Sequence, residues 1–295
     1  MAKFNSTGNS IVLGDATTAN FGSLDFSGSA VTISEASAME IAASEATGAL
    51  NLTASGAITQ TGVIDAISTS FFNAGADTIT LTQANDFAGA VSLSNTGTNL
   101  VEVTDANAIN LGTVNVGGAL KVTSSGTITD TGKLTVVGLA TLVSGGNAIT
   151  LGDETTANFG SLDFAGSTVT ISEGSDMMIA ESEATGALSL TASGKIEQNG
   201  RLDADNTTKL DNQANAGNIT LTHVGNDFSG AVSIESINSG VSLKDVNNID
   251  LGTLKIGNDF TLTSNGTISD SGNIEVLGLA KFISGANPIT LGLSL

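Results

Sequence analysis

The sequence predicts an all-β protein, a right-handed parallel β-helix (β-solenoid) of about 12 coils without obvious caps. Three observations predict this fold. The chain of 295 residues repeats itself at a fixed period, and its apolar residues fall in short runs that alternate with polar ones. Glycine supplies 36 positions, whereas proline occurs once and cysteine, tryptophan and tyrosine are absent. Such a bias is typical of short strands joined by small polar turns.

The first observation is a long internal repeat. Residues 13–58 return as residues 151–196 with about 37 of 46 positions unchanged. We therefore predict a single continuous solenoid over residues 1–295, with long repeats at approximately 11–148 and 149–288. Each long repeat holds two shorter repeats of about 70 residues, and residues 289–295 begin a further repeat.

The shorter repeat is visible in two recurring patterns. The pattern Gly-x-Ile-x-(Gln/Asp)-x-Gly begins at Gly56, Gly126, Gly194 and Gly266. An Ile-x-Leu triplet begins at Ile11, Ile79, Ile149, Ile219 and Ile289. Three coils of about 23 residues in each of the four shorter repeats account for the expected 12 coils.

The second observation is strand-like alternation, as in Leu50-Asn51-Leu52-Thr53, where leucines point to one side and polar residues to the other. The preferred twist of strands predicts a right-handed solenoid. An array of β-sandwich domains is the alternative architecture, but nothing in the sequence resembles a linker between such domains. Residues 37–47 and 175–185 are rich in alanine and glutamate and could form helices, yet the repeat runs through them and favours strands.

Charge and composition exclude several functional classes. The 29 acidic and 9 basic residues give a net charge of −20, which repels nucleic acid phosphates and anionic membrane surfaces. No segment approaches the roughly 20 apolar residues that a membrane-spanning helix needs, so we expect no membrane insertion. Residues 1–5 lack the apolar core of a signal peptide, and an export signal is expected to lie outside this chain.

Several phrases carry a resemblance to a known class of proteins. They are the segments 79–91 (ITLTQANDFAGAV), 114–123 (VNVGGALKVT) and 126–129 (GTIT). In these the chain resembles the β-strand-repeat regions of large bacterial surface proteins of the filamentous haemagglutinin and autotransporter-adhesin kind. The resemblance implies a right-handed parallel β-helix, an extracellular or cell-surface location, and a role as a stalk, adhesin or fibre.

The residues offer little for catalysis. Sites that cleave polysaccharides need clustered carboxylates, a basic group and often aromatic platforms. The chain has one arginine, Arg201, and one histidine, His223, both of which we expect on surface loops. We therefore predict no catalytic or cofactor-binding residues and no enzymatic activity. Threonine pairs such as Thr80 and Thr82 resemble ice-binding faces but do not recur on every coil.

Calcium is the one ligand that the acidic turns suggest, since it prefers several oxygen ligands. Six residues are the metal-ligand candidates of the sequence: Asp105, Asn107, Asp203, Asp205, Asp245 and Asn247. The alternative for the same residues is an Asx turn, in which the side chain accepts a hydrogen bond from a nearby backbone amide. The Asx turn is favoured, so no cofactor is required and calcium remains an optional one.

The two ends of the chain are in the same phase of the repeat. Ala2-Lys3-Phe4 matches Ala280-Lys281-Phe282. Because no cap is visible, we expect either a piece of a longer solenoid or subunits that stack head to tail. The expected partners are copies of the chain or neighbouring repeats, together with a host or matrix glycan or protein. The predicted function is a non-enzymatic extracellular stalk, adhesin segment or filament subunit, and the alternative is a carbohydrate-binding or carbohydrate-cleaving β-helix.

Overall fold

The computed structural model describes residues 1–14, 19–152, 157–212 and 217–292. Within them the chain forms 36 strands and no helix. The strands are parallel and stack as a β-solenoid of about 14 turns, which confirms the predicted fold class. Two compact units divide the chain, unit 1 at Met1–Asn147 and unit 2 at Ala148–Leu295.

The strands of unit 1 are mostly three to five residues long. They are β1 (Ala2–Ser6), β2 (Ile11–Leu13), β3 (Leu24–Gly28), β4 (Val31–Glu35), β5 (Met39–Ile41), β6 (Ser44–Ala46), β7 (Leu50–Ala54), β8 (Ile58–Gln60), β9 (Ile64–Ala66), β10 (Ser70–Asn73), β11 (Ile79–Phe87), β12 (Val91–Asn95), β13 (Val101–Asp105), β14 (Ile109–Val116), β15 (Leu120–Ser124), β16 (Ile128–Asp130) and β17 (Leu134–Val143).

Unit 2 repeats this pattern of short strands. Its strands are β18 (Ile149–Leu151), β19 (Ala157–Gly166), β20 (Val169–Glu173), β21 (Met177–Ile179), β22 (Ser182–Ala184), β23 (Leu188–Ala192), β24 (Ile196–Gln198), β25 (Leu202–Ala204), β26 (Thr208–Asp211), β27 (Ile219–Leu221), β28 (Asp227–Phe228), β29 (Val232–Ser236), β30 (Val241–Asp245), β31 (Ile249–Ile256), β32 (Phe260–Ser264), β33 (Ile268–Asp270), β34 (Ile274–Val276), β35 (Ala280–Ile283) and β36 (Ile289–Thr290).

Each turn of the solenoid is shorter than the sequence repeat suggests. One ladder of unit 1 pairs Ile11 with Val31, Val31 with Leu50, Leu50 with Ser70 and Ser70 with Val91. One turn therefore takes about 20 residues of chain, against the expected coil of about 23 residues. The expectation divided each repeat of about 70 residues into three coils, whereas a turn of about 20 residues fits into it about three and a half times. The shorter turn explains why about 14 turns form where about 12 were expected.

Alternation of side chains builds the core. In β7, Leu50, Leu52 and Ala54 are buried, whereas Asn51 and Thr53 lie on the partly exposed side. The equivalent strand of unit 2, β23, has the same alternating burial. Since parallel pairing keeps partners in register, each turn places its apolar side chains above those of the previous turn. The core therefore consists of stacked columns of leucine, isoleucine, valine and phenylalanine.

The alanine- and glutamate-rich segments form strands. Residues 37–47 contain β5 and β6, and residues 175–185 contain β21 and β22, so the helical alternative is wrong. Met39 pairs with Ile58 on the next turn and Ile41 with Gln60. Burial of Met39 and Ile41 in the core outweighs the helix propensity of their neighbours.

Close approach of successive turns explains the glycines of the Gly-x-Ile-x-(Gln/Asp)-x-Gly pattern. A Cβ atom on Gly62, the last position of the first copy, would lie 2.3 Å from the backbone nitrogen of Ala43 on the previous turn. At the last position of the third copy, a Cβ on Gly200 would lie 2.4 Å from the nitrogen of Glu181. No side chain fits at these distances, so glycine lets the turns stack at the spacing of a sheet.

The polar position of the same pattern closes a corner. The side-chain amides of Gln60 and Asn85 exchange two hydrogen bonds, of 2.8 and 3.0 Å. Asn85 is fully buried, accepts a hydrogen bond from the backbone N–H of Ile64 and donates one to the carbonyl of Thr104. One side chain thus joins the polar groups of three turns. Gln198 and Asn226 make the same reciprocal pair in unit 2, at 2.8 Å in each direction.

Parts of two sequence predictions cannot be compared with the fold. Residues 15–18 and 153–156, which belong to the duplicated segments 13–58 and 151–196, lie outside the described residues. The same holds for residues 293–295, the last three of the further repeat expected at 289–295. Among the residues that are described, no helix of membrane-spanning length and hydropathy exists.

Candidate functional site

Two of the calcium candidates are buried carboxylates at corners of the solenoid. Asp105 accepts a hydrogen bond of 2.7 Å from the backbone N–H of Asn107 and one of 3.0 Å from that of Phe87. Asp245 accepts the same pair of bonds, 2.7 Å from Asn247 and 2.9 Å from Phe228. The bond to the residue two positions ahead is the Asx turn expected for these residues. Backbone amides therefore hold both oxygens of each carboxylate.

Burial dominates the electrostatics of these two carboxylates. It raises the pKa of Asp105 above its ordinary value, and it raises the pKa of Asp245 to about 6. The backbone N–H donors act in the opposite direction, and the neighbouring charges of Asp86 and Asp227 add to the increase. Each carboxylate fixes a corner at an electrostatic cost that grows as the group ionises.

Two further buried carboxyl groups were not singled out by sequence. Glu35 and Glu173 occupy equivalent positions and are 0% and 1% exposed. Their Oε1 atoms accept hydrogen bonds from the backbone N–H groups of Phe21 (3.0 Å) and Phe159 (2.7 Å), while their Oε2 atoms have no hydrogen-bond partner among the described residues. Burial raises the pKa of Glu35 and raises that of Glu173 to about 8. The sequence did signal their burial: in the motif Val-Thr-Ile-Ser-Glu the glutamate falls on the same side of the strand as the buried valine and isoleucine.

Asp203 and Asp205, the remaining acidic calcium candidates, lie in unit 2 next to the only arginine. The guanidinium Nη1 of Arg201 lies 3.1 Å from Oδ2 of Asp203. Burial raises the pKa of Asp203, Arg201 lowers it, and the charges of Asp227, Asp205 and Glu183 raise it further. Within the part of the chain that the structure describes, no group of three or more His, Cys, Asp or Glu side chains could hold a metal ion.

Asp203 belongs to a column of carboxylates. Glu183 pairs with Asp203, and Asp203 pairs with Asp227, so three carboxylates follow one another on successive turns. Strands in a sheet are about 4.8 Å apart, which sets the spacing of this column. Asp227 also accepts a hydrogen bond of 2.9 Å from the side-chain amide of Asn247. Asn247, a calcium candidate at the corner of Asp245, therefore contacts this column through its side chain.

Arg201 and His223 lie together beside the carboxylate column. Nε of Arg201 is 4.0 Å from Oε1 of Glu181 on the previous turn. A Cβ atom on Gly225 would lie 3.3 Å from Cδ of Arg201 and 3.5 Å from Cε1 of His223, so both side chains border the same backbone position. Nδ1 of His223 accepts a hydrogen bond of 3.2 Å from the N–H of Gly225.

These residues form one surface, which we call the charged patch. It consists of the carboxylate column Glu183, Asp203 and Asp227 on three successive turns of unit 2, together with the neighbouring side chains of Glu181, Arg201 and His223. Sequence alone places Arg201 and His223 on separate loops. The register of the strands brings them together, because Asp203 pairs with Asp227 and the backbone of Gly225, two residues after His223, therefore approaches Arg201.

Unit 1 has the same carboxylate column without the arginine and the histidine. Glu45, Asp65 and Asp86 pair in register as their counterparts do. The positions equivalent to Glu181, Arg201 and His223 hold Ala43, Val63 and Gln83. His223 is also followed by one extra residue before the buried asparagine of its corner. The arginine and the histidine of the charged patch therefore have no counterpart in unit 1.

The fold and the repeated corners define the chain as a β-solenoid repeat protein. It belongs to a family described as repeats of unknown function (DUF5649), whose model matches residues 28–94, 97–162, 166–235 and 238–294. The four matches follow one another at the period of about 70 residues that the recurring sequence patterns show. A search of curated proteins found no match. A search of solved structures found none either.

Proposed function

We propose that the chain is a non-enzymatic, extracellular structural protein, serving as a stalk or adhesin segment or as a head-to-tail filament subunit. The observation that carries the proposal is the apolar strand edge that the last described turn of unit 2 presents. The proposal assigns to the chain the role of the strand-repeat regions of filamentous haemagglutinins and autotransporter adhesins. Its support is the resemblance of sequence phrases together with the parallel solenoid.

The last turn exposes side chains of the kind that the interior buries. Ile289 is 45% exposed and Leu291 is 37% exposed, whereas the equivalent Ile219 and Leu221 of the same unit are fully buried. The interior strand β27 pairs with β24 on one side and β30 on the other. Among the described residues β36 pairs with β33 alone. An apolar strand edge of this kind is a template for a further parallel turn.

Two occupants fit this edge, a following repeat of a longer chain or the first turn of another copy. The first turn has the same phase as the last, since Ala2-Lys3-Phe4 matches Ala280-Lys281-Phe282. Stacking of one copy on the next is a heterologous contact, which does not close and so produces a filament. The net charge of −20 opposes association between copies. We therefore expect salt to promote stacking.

Single substitutions on the last turn test the proposal. Ile289→Asp places a charge on the apolar edge, and Thr290→Asp places the same charge on the adjacent residue as a control. We expect the unmodified chain and Thr290→Asp to form longer particles as protein concentration and NaCl rise, in sedimentation velocity and negative-stain microscopy. Ile289→Asp should remain short, because a carboxylate cannot be buried in a new core position without a partner.

Two results would contradict the stacking proposal. One is an unmodified chain that stays monomeric at every protein concentration and salt concentration. The other is Ile289→Asp forming particles as long as those of Thr290→Asp. The same measurements with calcium added separate stacking through apolar edges from stacking that depends on a bridging cation.

A further inference from the structure

Two asparagine–glycine pairs occur in the chain, Asn199-Gly200 and Asn265-Gly266. Asparagine is chemically labile, and in such a pair the backbone nitrogen of the glycine can attack the side-chain amide of the asparagine. Glycine favours this reaction because it has no Cβ atom to shield its nitrogen or to restrict its backbone. Both pairs follow short strands of unit 2, β24 and β32, and both asparagines are exposed. The state of each glycine nitrogen therefore decides which pair reacts.

The nitrogen of Gly266 is held by hydrogen bonds. Its N–H group donates to the backbone carbonyl of Asn247 on the previous turn at 2.8 Å and to Oγ of Ser264 at 3.0 Å. The carbonyl of Asn265, on the other side of the same peptide bond, accepts a hydrogen bond of 2.8 Å from the side-chain amide of Asn287. The nitrogen can attack only after it loses its proton and the peptide rotates toward the side chain. Both steps require these hydrogen bonds to break.

The nitrogen of Gly200 has no such restraint. Its N–H group has no hydrogen-bond acceptor among the described residues, and the side-chain amide of Asn199 has no partner among them either. The corner itself is well defined. The N–H of Asn199 donates to the carbonyl of Ile179 at 2.8 Å, and the carbonyl of Gly200 accepts a bond of 2.6 Å from the side chain of Gln198. The corner thus leaves both reacting groups, the nitrogen and the side-chain amide, available.

We propose that Asn199 is a site of spontaneous covalent modification, in which Asn199-Gly200 closes to a cyclic imide that opens to a carboxylate. The nitrogen of Gly200 gives its proton to water and forms a bond to Cγ of Asn199, and the side-chain nitrogen leaves as ammonia. Water then adds to one of the two imide carbonyls, and the bond from that carbonyl to the nitrogen breaks. Opening at Cγ leaves aspartate, whereas opening at the backbone carbonyl leaves isoaspartate. Water is the only reactant added, and no oxidant or cofactor is required.

Both products change the corner. Each adds one negative charge to a chain whose net charge is already −20. Isoaspartate also adds a carbon atom to the backbone, at a corner where a Cβ atom on Gly200 would lie 2.4 Å from the nitrogen of Glu181. Because the turns leave no space there, we expect the isoaspartyl form to disturb the pairing of β24. The modification is independent of the stacking edge at Ile289, since β24 is an interior strand that pairs with β21 and β27.

Peptide mapping by mass spectrometry tests the proposal on the native chain after storage in mildly alkaline buffer. The chain is unfolded only afterwards, for digestion with trypsin, which separates the two asparagines into the peptides 196–201 and 256–281. Replacement of the side-chain NH₂ group by OH raises the mass of the peptide, and fragmentation locates the change. We expect Asn199 to convert at least about tenfold faster than Asn265, because the nitrogen of Gly266 must lose two hydrogen bonds before it reacts.

Two controls separate the effect of the corner from that of the dipeptide. Storage in urea removes the hydrogen bonds of both corners, so the two asparagines should then convert at similar rates. Asn199→Thr installs the residue of the equivalent corner of unit 1, where Thr61 precedes Gly62 and donates the same backbone bond, of 2.7 Å, to Ile41. This variant should keep the circular dichroism of the unmodified chain and show no mass change in peptide 196–201.

Four results would overturn the proposal. They are a native chain in which Asn199 stays unchanged, equal rates for Asn199 and Asn265 in the native chain, a rate ratio that persists in urea, and a mass change in peptide 196–201 of the Asn199→Thr variant.

Discussion

Glu173→Gln should change how the stability of the protein depends on pH. Glu173 is 1% exposed, its Oε1 atom accepts a hydrogen bond from the N–H of Phe159, and its Oε2 atom has no partner among the described residues. Burial raises its pKa from 4.5 to about 8. Glutamine has nearly the same shape and no charge to bury, so it isolates the contribution of ionisation.

The direction follows from proton binding. The folded protein holds the proton of Glu173 to a higher pH than the unfolded chain does, so stability decreases as pH rises between the two pKa values. Each pH unit of separation is worth about 1.4 kcal/mol. The interval from 4.5 to about 8 therefore corresponds to about 5 kcal/mol, which is fully present below pH 4.5 and lost as pH rises through 8. At pH 7 about 3 kcal/mol of it is already lost.

Urea unfolding followed by circular dichroism at pH 4.5, 6, 7 and 8.5 measures this effect. The free energy of unfolding of the unmodified chain should fall relative to that of Glu173→Gln by several kcal/mol between the first and last pH. Glu45→Gln, which removes an exposed carboxylate, is the matched control and should follow the unmodified chain. Parallel pH profiles for Glu173→Gln and the unmodified chain would refute the assignment of a protonated, buried Glu173.

Two further substitutions test how the turns are held together. Gly62→Ala should destabilise the protein by about 1–3 kcal/mol, because the new Cβ would lie 2.3 Å from the nitrogen of Ala43, whereas Gly22→Ala, with no described atom within 4 Å, should have little effect. Equal midpoints of thermal unfolding for the two variants would contradict this explanation. Asn85→Ala should lower the free energy of unfolding in urea by about 2–4 kcal/mol, because it leaves the side-chain amide of Gln60 and the backbone N–H of Ile64 without their partner. A decrease below about 0.5 kcal/mol would count against a stabilising role of the buried pair.

The architecture was accessible from sequence because the fold repeats a local rule. Alternation in Leu50-Asn51-Leu52-Thr53 predicts one buried and one outward face, and β7 has both. The same rule extends to Met39 and Ile41, whose neighbours favour a helix but whose inward phase makes a strand. The length of a turn was less accessible. A whole number of coils was assumed for each repeat of about 70 residues, so about 12 coils were expected where about 14 turns form.

The residues of the candidate site were less accessible for a different reason. Asp105 and Asp245 were identified as Asx-turn or calcium residues from their neighbours in sequence, and the turns are present. The inward carboxyl group of Glu173 was missed, because an acidic residue at the end of a strand is ordinarily solvated. Arg201 and His223 are far apart along the chain, and only the length of a turn makes them neighbours.

The sequence by itself determined that this protein is an acidic, repetitive stack of short parallel strands, since periodicity and alternation are properties of the chain read in order. Only the tertiary structure decided which outward residues share a surface. Stacking carries each position onto a position one turn later, and a one-residue insertion such as that beside His223 changes which side chains meet. The charged patch of unit 2 is therefore a property of register between turns, which depends on corner lengths that composition does not reveal.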